Sequence, residues 1–298
     1  MCRYLSPERH LYEFVLGSIS FSLVVRMILP YLQHPFASLL VHNETSTGKY
    51  IIRPSLPLRI TTLFIYALMI IYKSFGYPGK QLMVFMPCNV NWTILLSLSY
   101  MPHPYLRESV SHILCQVLIP MMGLTIVALV EADLSDVVLP FEVFYYFLHH
   151  SLLLMFPLYF LISGKITSLP ISFSKTLGES KISASTYGIV FAKTLGSWWI
   201  LTCALFGLLY VGVVTPLSIM SGINLNYMMS PPPGAPEAGV SGENYRILSA
   251  GVCAFLFFIV RVFVMSAELF VRYTWDIPFA IPNHAEVEMA YDEKKKLS

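Results

Sequence analysis

Apolar runs of about twenty residues recur along this 298-residue chain, and they leave few folds open to it. A helix of that length crosses a hydrocarbon core of about 30 Å. Because the core offers no water to backbone amides, a segment inside it must be a helix or a strand of a closed barrel. The runs lack the alternation of apolar and polar residues that is typical of barrel strands. We therefore predict an all-α fold, a polytopic transmembrane helical bundle.

Composition and charge agree with a membrane protein and exclude several other classes. Hydrophobic residues make up 56% of the chain and charged residues 12%, whereas soluble domains carry about 25% charged residues. The net charge of +2 and the scattered basic residues offer no patch for nucleic acid. The five cysteines form no Cys-X-X-Cys pair, so their spacing predicts neither a zinc site nor a redox motif. We expect no metal and no cofactor.

The whole chain, residues 1–298, is predicted to form a single integral membrane domain with about seven spans. The candidates are Tyr12–Tyr31, Leu56–Phe75, Leu82–Met101, Val110–Val130, Val138–Ile162, Thr186–Thr215 and Ile247–Phe270. Arg26 interrupts the first of them, so the count is six or seven. The sixth is long enough to tilt or to begin outside the membrane.

Loop charges predict the orientation of a seven-span chain. The amino terminus and the even loops hold five basic residues, whereas the odd loops and the carboxyl-terminal tail hold eleven. The positive-inside rule therefore predicts that the tail, residues 283–298, is cytosolic. The tail ends Lys-Lys-Leu-Ser, which resembles the dilysine retrieval signals of endoplasmic-reticulum membrane proteins, although it could simply be a solvated basic tail. The proline- and glycine-rich segment 230–242 is predicted to be a flexible lumenal loop.

Ionisable side chains cluster on one face of the fifth predicted span. At about 100° per residue, Glu142, Tyr146, His149 and His150 fall within an arc of about 100°. An ionisable group costs about 3 kcal/mol at the centre of a bilayer, so this arc is predicted to face the bundle interior. Helix geometry leaves three roles open, namely a packing network, a proton or ion pathway, and a catalytic site.

The third predicted span contains a proline followed by a cysteine. Pro87 leaves a carbonyl without a donor one turn earlier, so we expect a kink there. Cys88 would lie roughly 10 Å in from the lumenal end, near the level of Glu142 and several ångströms above His150. Geometry alone leaves Cys88 open between packing and catalysis, because a cysteine in a helix is by default a small hydrophobe.

Five short motifs, taken in order, resemble those of the transmembrane protein 164 family. They are Pro87-Cys88, Leu139-Pro-Phe-Glu142, Tyr146 and His150 with Pro157-Leu-Tyr159, Asn224-Leu-Asn226 with Pro231, and Tyr245-Arg246. The resemblance runs from about Leu82 to Ile247, slightly over half of the chain. Two positions depart from the family pattern. Asn89 follows the cysteine where the family tends to have histidine, and His149 replaces a usual glutamine.

The resemblance implies an acyltransferase of the endoplasmic-reticulum membrane, distantly similar to the androgen-induced fatty-ester hydrolases. Such an enzyme moves a polyunsaturated acyl chain, such as arachidonoyl, from a donor phospholipid to a lyso ether phospholipid without free acyl-CoA. Cys88 would be the nucleophile and His150 its base. We predict a supporting polar shell made of Glu142, Tyr146, His149, Asn224 and Asn226, in which His149 departs from the family pattern.

The chemistry that this implies is coherent, because the thiolate is the nucleophilic form of cysteine and needs a base to generate it. An acyl-thioester would then be attacked by the lysophospholipid hydroxyl, and Asn89 is a candidate oxyanion donor. A fatty-ester or thioester hydrolase with the same residues is one alternative. A proton-coupled transporter using Glu142 and the histidines is another, and a non-catalytic scaffold is a third.

Overall fold

The computed structural model describes residues 5–43, 55–100, 104–134, 137–162, 168, 184–229 and 244–274. Within these residues there are eight α-helices and no strands. The helices are α1 (Pro7–Asn43), α2 (Leu56–Ser74), α3 (Pro87–Tyr100), α4 (Pro104–Val130), α5 (Glu142–Ile162), α6 (Ala184–Leu209), α7 (Thr215–Ser221) and α8 (Tyr245–Thr274). The predicted all-α bundle is confirmed. The loop 230–242 and the tail 283–298 lie outside the described residues.

Six helical segments of the described residues are long and apolar enough to cross a bilayer. They are Glu8–Leu29, Leu56–Ser74, Ile113–Val130, Glu142–Ile162, Phe191–Ser221 and Tyr245–Val271. The first predicted span is among them, despite Arg26. The chain is therefore a multi-pass membrane protein. The third predicted span, Leu82–Met101, is not one uninterrupted helix.

Pro87 divides the third predicted span into two pieces. Lys80–Phe85 forms a 3-10 helix, Met86 is extended with φ −65° and ψ 148°, and α3 begins at Pro87. A residue before proline is disfavoured in the helical region, and proline at the first helical position sacrifices only an amide that would be unpaired anyway. The predicted kink is therefore a complete break, and α3 has only 14 residues, about 21 Å.

The broken third element nevertheless runs antiparallel to α2. At one end the Tyr100 hydroxyl donates to the carbonyl of Arg59, 3.0 Å away, and the Arg59 guanidinium lies 4.7 Å from the Tyr100 ring centre. Near the other end, Tyr72 and Cys88 pack into the same apolar cluster. Four elements, α1, α3, α5 and α8, begin at this second end, which we call the Cys88 end of the bundle.

Three apolar clusters form the core of the described residues, and the two larger ones lie between the long helices. The first lies between α2, α3 and α5, where Met69, Trp92 and Phe160 are fully buried. The second lies between α4, α6 and α8 and contains Trp198 and Phe257. Lipid tails are as apolar as these side chains, so close packing rather than the hydrophobic effect holds membrane helices together. The first cluster fixes the spacing of α3 and α5, the helices that carry Cys88 and the polar face with Glu142 and His150.

A glycine turn carries the chain from α2 into the 3-10 helix at the Cys88 end. Gly79 has a φ of +87°, a left-handed conformation that side chains other than hydrogen rarely adopt. A Cβ atom at this position would overlap Cδ1 of Ile223, which lies in the loop after α7. The turn therefore needs glycine for its conformation and also for the close approach of that loop.

We expect Gly79→Ala to lower the free energy of unfolding by about 2–5 kcal/mol, since the left-handed conformation costs about 1–2 kcal/mol and overpacking adds about 1–3 kcal/mol. The midpoint of thermal denaturation in detergent measures the loss. Gly196→Ala is the matched control, because nothing lies within 4 Å of a Cβ atom there. That variant should be neutral or slightly stabilised. Equal midpoints for the two variants would contradict the close approach.

Candidate functional site

Cys88 is the second residue of α3, directly after the proline break. Helical side chains lean toward the amino terminus, so the thiol lies toward the positive end of the helix dipole. A cysteine in such a position is stabilised as the thiolate. Cys88 is half-buried and packs against the first apolar cluster, which includes Tyr145 of α5. The break thus places a potential nucleophile at a helix start against α5.

Asn89 holds the break together and does not have the arrangement predicted for an oxyanion donor. Its side-chain Nδ2 donates to the carbonyl of Met83, 2.6 Å away, across the break. Its Oδ1 faces the Cys88 thiol, at 3.8 Å from Sγ. The amide therefore presents an acceptor to the thiol, and one of its donors is already used to join the 3-10 helix to α3.

The polar face of α5 points into the bundle, as the helical wheel predicted. Glu142, His149 and His150 are 2%, 2% and 4% exposed, and Tyr146 is half-buried. On the other side of the helix Phe144 is 69% exposed. The face that carries the ionisable groups is therefore shielded from lipid, which removes most of the cost of placing them at this depth.

A buried ion pair joins the start of α5 to the 3-10 helix. Nζ of Lys80 lies 2.6 Å and 2.8 Å from the two carboxylate oxygens of Glu142. The same carboxylate accepts hydrogen bonds from the backbone amides of Val138 and Leu139, both at 3.0 Å. Both side chains are almost fully buried. The pair fixes the entrance of α5 relative to the segment that leads into α3.

Sequence reasoning missed the role of Lys80, which was only one of the five basic residues counted in the amino terminus and the even loops. The sequence did indicate that Glu142 has a cationic partner, because a buried glutamate needs a counter-charge and the chain has few basic residues. Sequence alone cannot choose among the lysines and arginines, since the partner is 62 residues away. The structure supplies that choice.

The imidazole of His150 is held in a defined orientation. Its Nδ1 lies 2.8 Å from the backbone carbonyl of Tyr146, one turn earlier. Donation by Nδ1–H to this carbonyl makes Nε2 the nitrogen with the lone pair. The Tyr146 ring lies 4.2 Å from the His150 ring, and its hydroxyl donates to the carbonyl of Ala128 on α4. The arrangement suits a general base acting through Nε2.

His149 is the residue of the polar face that meets α3. Its ring centre lies 5.3 Å from that of Trp92, 5.4 Å from Tyr145 and 4.9 Å from His150. Trp92 stands one turn after Cys88 on α3, a rise of about 6 Å. The contact between Trp92 and His149 therefore brings the cysteine face of α3 against the histidine face of α5.

The predicted asparagines after α7 belong to a turn. Oδ1 of Asn224 accepts a hydrogen bond from the backbone amide of Met229, 2.6 Å away. The side chain of Asn226 lies outside what the structure describes. Leu225, between them, packs with Met83 of the 3-10 helix. The turn therefore supports the segment before Cys88 through apolar packing.

Arg246, at the start of α8, ties three parts of the chain together at the Cys88 end. Its guanidinium forms an ion pair with Glu13 of α1 at 2.6 Å and lies 2.7 Å from Nδ1 of His10. It also donates to the carbonyl of Met228 in the turn after α7. Sequence reasoning missed Glu13 and His10 because they lie more than 230 residues away from Arg246.

The described residues contain no group of three or more His, Cys, Asp or Glu side chains that could hold a metal ion. The described residues of the site offer a thiol, two imidazoles, an indole and a buried ion pair.

The chain is similar to a known protein over most of its length. Over 269 residues it is 29% identical to a protein of Dictyostelium discoideum named transmembrane protein 164 homolog, covering 87% of this chain and 82% of that protein. The predicted resemblance to the transmembrane protein 164 family is confirmed. No family model and no solved structure matches the chain.

Most of the residues that first suggested the transmembrane protein 164 family are widely spaced in sequence but lie at one end of the fold, whereas Pro157-Leu-Tyr159 lies near the other end of α5. Pro87-Cys88, Glu142, Asn224 and Tyr245-Arg246 all lie in first turns of helices or in turns at the Cys88 end. Tyr146 and His150 follow within the next two turns of α5. This convergence marks one end of the bundle as the candidate site.

Proposed function

We propose that the protein is a membrane-embedded acyltransferase, a CoA-independent transacylase that moves a polyunsaturated acyl chain from the sn-2 position of a phospholipid to a lyso ether phospholipid. The observation that carries the proposal is the packing of α3 against α5. It sets a cysteine on the first turn of one helix beside the buried histidine face of the other. We propose that the protein lies in the endoplasmic-reticulum membrane with a cytosolic carboxyl terminus. An antibody to a tag on the tail should then bind after selective permeabilisation of the plasma membrane.

In the first half-reaction, Nε2 of His150 takes the thiol proton of Cys88, and the thiolate attacks the ester carbonyl of the donor. A carbon–sulfur bond forms, the carbon–oxygen bond to glycerol breaks, and the imidazolium returns its proton to the departing alkoxide. In the second half-reaction, the hydroxyl of the lyso ether lipid loses its proton to His150 and attacks the thioester. The new carbon–oxygen ester bond forms, the carbon–sulfur bond breaks, and the imidazolium returns its proton to the departing thiolate, so the thiol is regenerated without a cofactor.

Lys80, Glu142 and Asn89 position this pair and do not take part in bond making. The ion pair of Lys80 with Glu142 fixes the start of α5 against the 3-10 helix, and Asn89 fixes the 3-10 helix against α3. Catalytic groups need such supports, because small displacements of a reacting atom reduce the rate strongly. Exclusion of water from a site embedded in the bilayer would favour transfer to a lysolipid over hydrolysis.

The test uses purified protein in liposomes that hold a labelled polyunsaturated donor phospholipid and a lyso ether acceptor. We expect Cys88→Ala to reduce transfer by at least about 10³-fold, as loss of a covalent nucleophile does. Cys203→Ala is the matched control, since Cys203 is also a half-buried free cysteine but packs in the second apolar cluster. In the wild type, mass spectrometry should find an acyl group on the Cys88 peptide that hydroxylamine removes.

Other outcomes separate the alternatives. Equal transfer by Cys88→Ala and wild type would eliminate Cys88 as the nucleophile. Release of free fatty acid without any acceptor would indicate the hydrolase. Wild-type protein that is folded, shows no acyl chemistry and moves protons across the liposome membrane would indicate the transporter.

A further inference from the structure

Seven buried side-chain polar atoms have no hydrogen-bond partner among the described residues, and two of them belong to neighbouring rings on α3 and α5. These two are Nε1 of the Trp92 indole on α3 and Nε2 of the His149 imidazole on α5. The two side chains are 0% and 2% exposed, and their ring centres are 5.3 Å apart. Each unpaired polar group costs about 1–3 kcal/mol in such a place. Unsatisfied groups of this kind call for an explanation, because native proteins keep few of them.

Both atoms belong to side chains next to the proposed catalytic pair. Trp92 is one turn after Cys88 on the same face of α3, and its side chain leans back toward the start of that helix. His149 directly precedes His150, and the two rings lie 4.9 Å apart. An acceptor atom bound by both of these groups would thus lie about one turn from Cys88 along α3 and beside the His150 ring.

The other donors near the thiol are already engaged. Nδ2 of Asn89 donates to the Met83 carbonyl. Nζ of Lys80 is held by both oxygens of Glu142. An indole N–H can only donate, and a neutral imidazole donates when its proton is on Nε2. The unsatisfied pair is therefore suited to an acceptor oxygen, and most of all to a negatively charged one.

The geometry points to an oxyanion-binding subsite in which Nε1–H of Trp92 and Nε2–H of His149 donate to the carbonyl oxygen of the ester that Cys88 attacks. The inference rests on the proposed transacylase function and deepens it, since it names the groups that stabilise the tetrahedral intermediates. Trp92 and His149 become catalytic residues in addition to Cys88 and His150.

The chemistry balances without a further reactant. When the thiolate forms a bond to the carbonyl carbon, the π pair of the carbonyl moves to its oxygen, and the two N–H groups bind the resulting oxyanion. Collapse of the intermediate restores the carbonyl and expels the lysophospholipid alkoxide, which receives the proton held by His150. The same two donors serve the second intermediate, which forms when the acceptor hydroxyl attacks the thioester.

Three variants test the subsite in the liposome assay, with Cys88→Ala measured alongside. Trp92→Phe keeps a ring but loses the N–H, and His149→Leu loses its donor. We expect each to lower kcat by about 10²- to 10³-fold, with KM changed by less than about threefold, because removal of an oxyanion donor has this effect. His149→Gln keeps a side-chain N–H, so we expect its kcat to stay within about tenfold of the wild type.

Two further readouts distinguish a catalytic role from a structural one. A trifluoromethyl ketone analogue of the donor lipid forms a tetrahedral adduct with the thiol, and its affinity should fall in parallel with kcat in Trp92→Phe and His149→Leu. The thermal midpoint of His149→Leu in detergent should be retained or raised, because the substitution removes an unsatisfied buried group.

Each contrary result has a defined meaning. If transfer depends on Cys88 but kcat survives in Trp92→Phe and His149→Leu, the subsite is wrong and the proposed function stands. If Cys88→Ala is active, the proposed function itself fails. If His149→Gln is as inactive as His149→Leu, His149 acts through its lone pair as a base, which also overturns the subsite. A lowered thermal midpoint with unchanged analogue affinity would assign both residues to packing.

Discussion

Replacing Glu142 with leucine should lower the free energy of unfolding by about 3–5 kcal/mol, because the substitution leaves a buried charge without its counter-charge. Lys80 is 1% exposed, and both of its short contacts are to the Glu142 carboxylate. The backbone amides of Val138 and Leu139 would lose their acceptor as well. The midpoint of denaturation in mixed detergent micelles measures the loss.

The double variant Lys80→Met with Glu142→Leu separates the charge effect from packing. Replacing a buried ion pair by apolar residues of similar volume is often neutral or stabilising, so most of the lost stability should return. Glu131→Gln serves as a control for charge at the same end of the bundle, because that side chain is exposed. It should change stability by less than about 0.5 kcal/mol. A double variant no more stable than Glu142→Leu would show that the two charges are not coupled.

Replacing His150 with alanine should slow acyl transfer by about 10²- to 10⁴-fold, which is the usual contribution of a positioned general base. Hydroxide must then generate the thiolate, so the residual rate should rise about tenfold per pH unit until the thiol is ionised. Single-turnover experiments from about pH 6 to pH 9 measure the rate of acyl-enzyme formation directly in each variant.

Tyr146→Phe is the informative comparison for His150. The substitution removes the hydroxyl that donates to Ala128, but it leaves the backbone carbonyl that orients the imidazole. Its rate should therefore stay within about tenfold of the wild type. An active His150→Ala variant with a flat pH profile would show that another group is the base. His149 is the histidine described next to His150.

Local patterns in the sequence were sufficient for the features that depend on a single helix. The apolar runs predicted helices because only a helix satisfies a backbone in lipid. The wheel placed Glu142, His149 and His150 inside because their spacing alone puts them on one face. Pro87 predicted a disturbance in the third span, and the structure shows that it separates a 3-10 helix from α3.

Features that depend on contacts between distant segments could not be predicted in this way. Lys80 and Glu142 are 62 residues apart, and Arg246 and Glu13 are 233 residues apart, so no local periodicity connects them. The role of Asn89 depends on the carbonyl of Met83 across a break whose shape the sequence does not specify. The unsatisfied atoms of Trp92 and His149 likewise become visible only when α3 and α5 are packed together.

The ion pair of Lys80 with Glu142 also constrains the order in which the bundle can be assembled during biosynthesis. Lys80 emerges from the ribosome well before Glu142, and a lone lysine is expensive inside a bilayer. Its long side chain can reach the membrane surface until α5 arrives. The segment that leads into α3 can therefore settle only after α5 has been inserted. Since Arg246 of α8 pairs with Glu13 of α1, the Cys88 end closes only after α8 has been synthesised.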